Sequence, residues 1–106
     1  MSKRLELHDI FIDILGTRDE KDSRVYFQPP SSVKMKYPCI IYSRNNMAQK
    51  YGDDIPYKNH QGYMVTIVDA NPDSLIPGEV AKLPLCKFNR YFAVDNLNHD
   101  VYTIYY

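Results

Sequence analysis

The last six residues of the chain, VYTIYY (Val101 to Tyr106), favour a β-strand, and neither of its alternating faces carries a charge. A strand without a polar face is usually covered on both sides. The domain's own helix can cover one face. We expect a neighbouring subunit to cover the other, because a chain of 106 residues builds only one core.

Further elements follow from hydrophobic spacing and from residues that begin or end them. Apolar residues at helical spacing predict a helix over residues 3–15, with Ser2 and Gly16 at its ends. We predict strands over residues 25–28, 38–44, 63–69, 86–93 and 100–106, and a short helix over residues 74–82. The order α-β-β-β-α-β-β predicts an α+β fold, a mainly antiparallel sheet flanked by the two helices, in one domain spanning residues 1–106.

Charge and composition narrow the possible partners. Thirteen basic residues balance thirteen acidic ones, whereas binding to nucleic-acid phosphates needs a basic surplus on some face. No apolar run approaches the roughly 20 residues that span a bilayer, and the N-terminus does not have the pattern of a secretory signal. We therefore expect a protein that is made in a cytoplasm and has no membrane partner.

The cysteines and histidines do not have the spacing of a metal site. Cys39 and Cys86 are far apart in apolar stretches, which favours buried free thiols over a disulfide or a metal pair. No CxxC or HxxxH spacing is present. We expect neither a cofactor nor a bound metal.

A dense polar cluster lies between the last two predicted strands. It contains Asp95, Asn96, Asn98, His99 and Asp100. His99 with Asp95 or Asp100 could form a base–carboxylate pair, but no motif of a known catalytic site accompanies it. Turns between strands require the same residue types. The turn is the favoured interpretation, no catalytic residue is assigned, and a small enzyme stays an alternative.

The polar stretch 45–59 is too long for a tight hairpin turn, and it could form an extended arm or a loop. Asp53 and Asp54 within it could hold a cation, although a solvated loop is favoured. We expect this stretch to contact a partner through Tyr51, Asp53, Asp54 and Tyr57.

Tyrosine is unusually frequent, with ten copies and no tryptophan. Tyrosine offers a large apolar face with one hydroxyl group, and it is common where protein surfaces meet. Together with arginine it often dominates the binding energy of an interface. The predicted subunit interface therefore comprises Arg90, Tyr91, Phe92, Tyr102, Tyr105 and Tyr106.

The second half of the chain resembles the tail-terminator proteins of long-tailed bacteriophages, which are also called tail-completion or head–tail joining proteins. The similar segments are YPCIIY, the strand-to-helix junction VTIVDANPDS, and the ending CKFNRYFAVDNLNHDVYTIYY. The resemblance covers roughly residues 37–106, and the N-terminal helix agrees with it in position.

The resemblance implies a structural virion protein of the tail and neck, assembled in the host cytoplasm. Such proteins form a hexameric ring that caps the tail tube, stops its growth and joins it to the neck of the head. The implied partners are other copies of the chain, the tail tube protein and a head–tail connector protein. DNA passes through the ring without sequence-specific binding, and the family has no catalytic residues to carry over.

Three other interpretations of the function remain open. The chain could be another neck component, such as a head-completion or adaptor protein that binds the portal. It could be a monomeric binding module. Less favoured is the small enzyme that uses the cluster from Asp95 to His99.

Overall fold

The computed structural model describes residues 2–45 and 60–106, and it confirms the predicted α+β class and order of elements. The elements are α1 (Lys3–Leu15), β1 (Val25–Phe27), β2 (Cys39–Asn45), β3 (Gly62–Asp69), α2 (Ile76–Ala81), β4 (Cys86–Val94) and β5 (Leu97–Tyr105). The strands form one sheet in the order β1-β2-β3-β5-β4. β1 and β2 are parallel, and the other neighbours are antiparallel.

Helix α1 begins and ends at the residues that the sequence indicates. The hydroxyl of Ser2 accepts a hydrogen bond from the backbone N–H of Leu5 at 3.2 Å, which satisfies one of the free donors of the first turn. Gly16 adopts a left-handed conformation with φ 73°, and its N–H bonds to the carbonyl of Ile12 at 3.0 Å. Glycine adopts this conformation without the clash that a Cβ would cause, so the chain turns away here.

The core lies between α1, α2 and one face of the sheet. Leu7 and Phe11 of α1 are fully buried, and the Phe11 ring meets the Tyr42 ring edge-on at 5.3 Å between centroids. The sheet contributes Val25, Ile40, Tyr42, Tyr63, Val65, Ile67, Tyr102 and Ile104 to this cluster, and α2 contributes Val80. Each large apolar side chain buried here contributes about 1.5–3 kcal/mol to stability.

The last two strands are joined by a tighter turn than predicted. Only Asp95 and Asn96 lie between β4 and β5, and both have positive φ, 55° and 64°. Two such residues form the turn whose twist matches that of the flanking strands, and Asp and Asn tolerate it well. The predicted start of the last strand at residue 100 was therefore wrong. Asn98 and His99 continue β5 because their backbones pair with both β3 and β4.

Candidate functional site

β4 is a long edge strand. In the part of the chain that the structure describes, it pairs with β5 alone, and eight of its nine residues are exposed. At the other edge, β1 has only three residues, and Arg24 and Gln28 on either side of it have positive φ, 62° and 45°. Short or distorted edges resist pairing with another chain, whereas long apolar edges invite it. β4 is therefore the edge that is open to a partner.

The exposed surface of β4 is unusually apolar. Phe88 is 59% exposed, Tyr91 53%, Phe92 37% and Val94 50%. Single exposed apolar residues are common, but a contiguous group of this kind marks an interaction surface or a tendency to aggregate.

A β-bulge between Phe88 and Arg90 distributes these side chains over the two faces. Lys87 pairs with Thr103 and Arg90 with Val101, so both basic residues share a face although they are three positions apart. If Asn89 were paired regularly instead of bulged, the two basic side chains would point to opposite faces. Phe92 and Val94 follow Arg90 at the strand period. We call Lys87, Arg90, Phe92 and Val94 the basic strip.

A side chain of the neighbouring strand β5 supports the basic strip. The Phe92 ring stacks on the His99 ring with 4.5 Å between centroids, and the Arg90 guanidinium lies 5.8 Å from the Phe92 centroid. Nδ1 of His99 lies 3.1 Å from the backbone carbonyl of Leu97. A carbonyl only accepts, so Nδ1 carries the proton in this contact. The contact fixes the imidazole ring and, through it, the ring of Phe92.

The same geometry bears on the alternative of a base–carboxylate pair. His99 and Asp100 are neighbours in β5, so their side chains point to opposite faces. Asp95 lies in the turn, and among the described residues neither carboxylate is hydrogen-bonded to His99. Partial burial raises the pKa of Asp100. The structure therefore does not bring the polar cluster together into a catalytic arrangement.

The predicted interface residues differ in how much surface they offer. Arg90, Tyr91 and Phe92 are exposed on β4, and the Tyr91 hydroxyl lies 2.5 Å from Oδ1 of Asn98. Tyr102 and Tyr105 are only 7% and 9% exposed within a single protomer, so they offer little surface to a neighbouring copy.

Tyr106 is half-buried, and its hydroxyl donates to Oε1 of Glu6 at 3.3 Å. Val101, on the face of β5 opposite to the core residues Tyr102 and Ile104, is 1% exposed. That face is already buried at Val101 within one chain. The subunit interface itself stays a prediction.

A surface that the sequence did not single out lies between β3 and α2. Leu75 is 83% exposed, the highest value among the exposed large hydrophobic residues. It follows Asp69 and Asp73, and the chain has no basic residue from Asp69 to Ala81. We call residues 69–75 the acidic turn. The predicted helix over residues 74–82 included Leu75, whereas α2 begins only at Ile76.

Several expectations concern features that lie outside the described residues or are absent from them. Tyr51, Asp53, Asp54 and Tyr57, the expected partner-contacting residues, fall within 46–59, outside the described part. Across residues 2–45 and 60–106, no group of three or more His, Cys, Asp or Glu side chains is placed to hold a metal ion. Over the same residues, neither helix combines the length and the apolar character that crossing a bilayer demands.

Comparison with known proteins adds no further assignment. No protein-family model matches this chain, and neither a curated protein nor a solved structure matches it. Evidence on function therefore comes from the geometry of β4 and from the sequence resemblance.

Proposed function

We propose that the chain is a structural virion protein. It forms a ring at the head–tail junction, caps the tail tube, stops its growth and joins it to the neck of the head. The observation that carries the proposal is the edge strand β4, with nine residues, exposed aromatic side chains and a basic residue near its centre. Such a surface suits permanent contact with another protein better than it suits catalysis.

The two edges of the sheet also agree with a ring. A ring requires a heterologous interface, in which one surface of a copy meets a different surface of the next copy. The long edge β4 and the short edge β1 differ in length and chemistry, so the protomer is suited to head-to-tail contacts. Its net charge of zero lets several copies lie together without strong mutual repulsion.

In this role the other partners are the tail tube protein on one side and a connector protein of the head on the other. DNA passes through the opening without being read. The balanced charge supports the absence of tight binding, because a strong affinity for phosphates would need a basic surplus along the opening.

Deleting the gene from the phage or prophage that encodes it tests the proposal. Electron microscopy of the lysate should show overlong tail tubes without heads, because nothing stops the growth of the tube. A plasmid copy of the wild-type gene should restore headed particles with tails of normal length. Headed particles with normal tails in the deletion strain would contradict the proposal.

The same experiment distinguishes the proposed function from the alternative functions. Tails of normal length that lack heads, or heads that have lost their DNA, would indicate a different neck component. A plasmid copy carrying His99→Phe addresses the enzyme alternative, because phenylalanine keeps an aromatic ring beside Phe92 but cannot exchange a proton. An assembly protein should still support particle formation after this change, whereas an enzyme that uses His99 should lose its activity while it remains folded.

A further inference from the structure

We propose that the acidic turn of one copy docks on the basic strip of the next copy and that this contact closes the ring. The inference rests on the proposed function and adds to it the surfaces that meet. Leu75 packs against Phe92 and Val94, while Asp73 and Asp69 lie opposite Arg90 and Lys87.

The acidic turn is held in one conformation by its own hydrogen bonds. The N–H of Asn71 donates to Oδ1 of Asp69 and the N–H of Asp73 donates to Oδ1 of Asn71, each at 3.0 Å. The N–H of Ser74 bonds to the Asn71 carbonyl at 3.2 Å. These bonds project Leu75 into solvent before any partner arrives, and a preorganised loop loses less conformational entropy on binding.

The charges of the two surfaces are complementary. The acidic turn carries Asp69 and Asp73 and no basic residue, whereas β4 carries Lys87 and Arg90 and no acidic residue. The ion pairs seen across the described residues involve none of these four side chains. Each surface also offers an apolar contact, so the pair combines an apolar centre with charges around it, as stable interfaces do.

Pairing of β4 with β4 of a second copy fits less well. Two antiparallel registers oppose like charges: a pair centred on Arg90 sets this residue opposite its own copy, and a pair centred on Phe88 sets Lys87 opposite Arg90. Like charges directly opposite each other destabilise a strand pair. A contact between two different surfaces avoids this repulsion and leaves one free surface at each end, so the assembly can continue to a closed ring.

Single-stranded nucleic acid is a weaker candidate for the basic strip. The strip contains a stacked aromatic ring and an arginine, but it has only two basic residues on a chain with no net charge. Affinity for nucleic acid grows with the number of phosphates that are neutralised.

The test uses two variants, each damaged on one surface. Lys87→Glu with Arg90→Glu reverses the charge of the basic strip, and Asp73→Ala with Leu75→Asp damages the acidic turn without adding a cation. Each variant alone should self-associate about a hundredfold more weakly than the wild type, since the first opposes like charges and the second loses an ion pair and sets a carboxylate against Phe92 and Val94. Mixed together, they should form a one-to-one heterodimer and nothing larger, because each still carries one intact surface and the two damaged surfaces are both acidic.

Native mass spectrometry distinguishes these states, since the monomer has a mass of 12.4 kDa. Lys34→Glu with Lys36→Glu is the matched control. It changes the same amount of charge on exposed residues that belong to neither surface, and it should assemble like the wild type. Circular dichroism confirms that each variant is folded.

Three outcomes would overturn the inference. The first is a wild type that remains monomeric at every concentration reached, and the second is a pair of variants that assemble normally or fail to form the heterodimer when mixed. The third is binding of a fluorescent single-stranded oligonucleotide that Lys87→Glu with Arg90→Glu abolishes while self-association persists. None of these results decides the ring itself, which the deletion experiment tests separately through tail length.

Discussion

At the scale of single residues, His8 joins α1 to the sheet by a polar contact inside an otherwise apolar layer. Its Nδ1 lies 2.7 Å from the Tyr42 hydroxyl oxygen, which also accepts a bond from Nη1 of Arg4 at 3.4 Å. The Arg4 guanidinium cannot accept a proton, so Nδ1 of His8 is the acceptor that these contacts offer to the hydroxyl proton. Burial, followed by the nearby Arg4 cation, lowers the pKa of His8 from its ordinary value of 6.5.

This contact predicts that acid destabilises the fold. The unfolded chain binds a proton at His8 near pH 6.5 and the folded chain only at lower pH. The contribution of His8 is thus complete above pH 6.5 and is lost as the pH falls from there toward the lowered pKa. Urea unfolding over this range should show the loss. His8→Gln should show a smaller one because glutamine does not titrate; equal losses in both proteins would contradict the assignment.

The thiols give a second prediction for single residues. Burial raises the pKa of Cys39 to about 12 and that of Cys86 to about 11. At pH 8 only about one Cys39 in ten thousand and one Cys86 in a thousand would be thiolate, the form that reacts. A colorimetric disulfide reagent should therefore label the native protein slowly and the denatured protein at once. Cys39→Ala and Cys86→Ala assign each phase, and rapid labelling of native Cys39 would refute the prediction.

The hairpin turn between β4 and β5 provides a third prediction for a single residue. Asn96 has φ 64°, which glycine adopts freely and a β-branched residue resists. Asn96→Gly should preserve or slightly raise the unfolding free energy, whereas Asn96→Val should lower it by about 1–2 kcal/mol. Thermal unfolding of the two variants measures the difference. If valine were tolerated as well as glycine, the two-residue turn between β4 and β5 would be incorrect.

At the scale of elements, α1 holds the sheet through a few large side chains. Phe11 is fully buried against Tyr42, whereas Leu5 on the same helix is 45% exposed. Phe11→Ala should cost about 3–5 kcal/mol, because it removes the ring and leaves a cavity. Leu5→Ala is the matched control and should cost less than about 1 kcal/mol. Similar costs in chemical denaturation would mean that α1 packs through a different face.

The elements were predictable where the signal is local. The apolar spacing of α1 and the flanking Ser2 and Gly16 set the helix, and the β-favouring run in β2 set a strand. The bulge at Asn89 and the length of β5 were not predictable. Both depend on which residues face each other across β4 and β5, and this is decided by packing between distant parts of the chain.

The candidate interaction surface was also predictable only in part. Arg90, Tyr91 and Phe92 were expected at an interface from their residue types, and they are exposed. Tyr102 belongs to the same predicted set but lies in the core, because residue type alone does not say on which face of β5 a tyrosine is placed. The exposure of Leu75 was missed since a leucine next to a helix start normally joins the apolar face.

At the scale of the whole molecule, the sheet has one face that the helices cover and that completes the core. The basic strip and the acidic turn carry charges that the described residues do not pair internally. A neutral chain that keeps opposite charges on separate surfaces is suited to meet copies of itself. Its assembly should therefore depend on electrostatic attraction as well as on apolar contact.

This dependence can be measured through salt. Ions screen exposed charges beyond about 10 Å at 0.1 M and beyond about 3 Å at 1 M, so sodium chloride should weaken self-association of the wild type. Lys87→Gln with Arg90→Gln removes the attraction without introducing repulsion. This variant should associate more weakly at low salt and change little as salt is added. Sedimentation of both proteins across a salt series compares the slopes. If salt strengthened wild-type assembly, or if both proteins responded alike, apolar contact alone would hold the copies together and the charges on β4 would have no part in it.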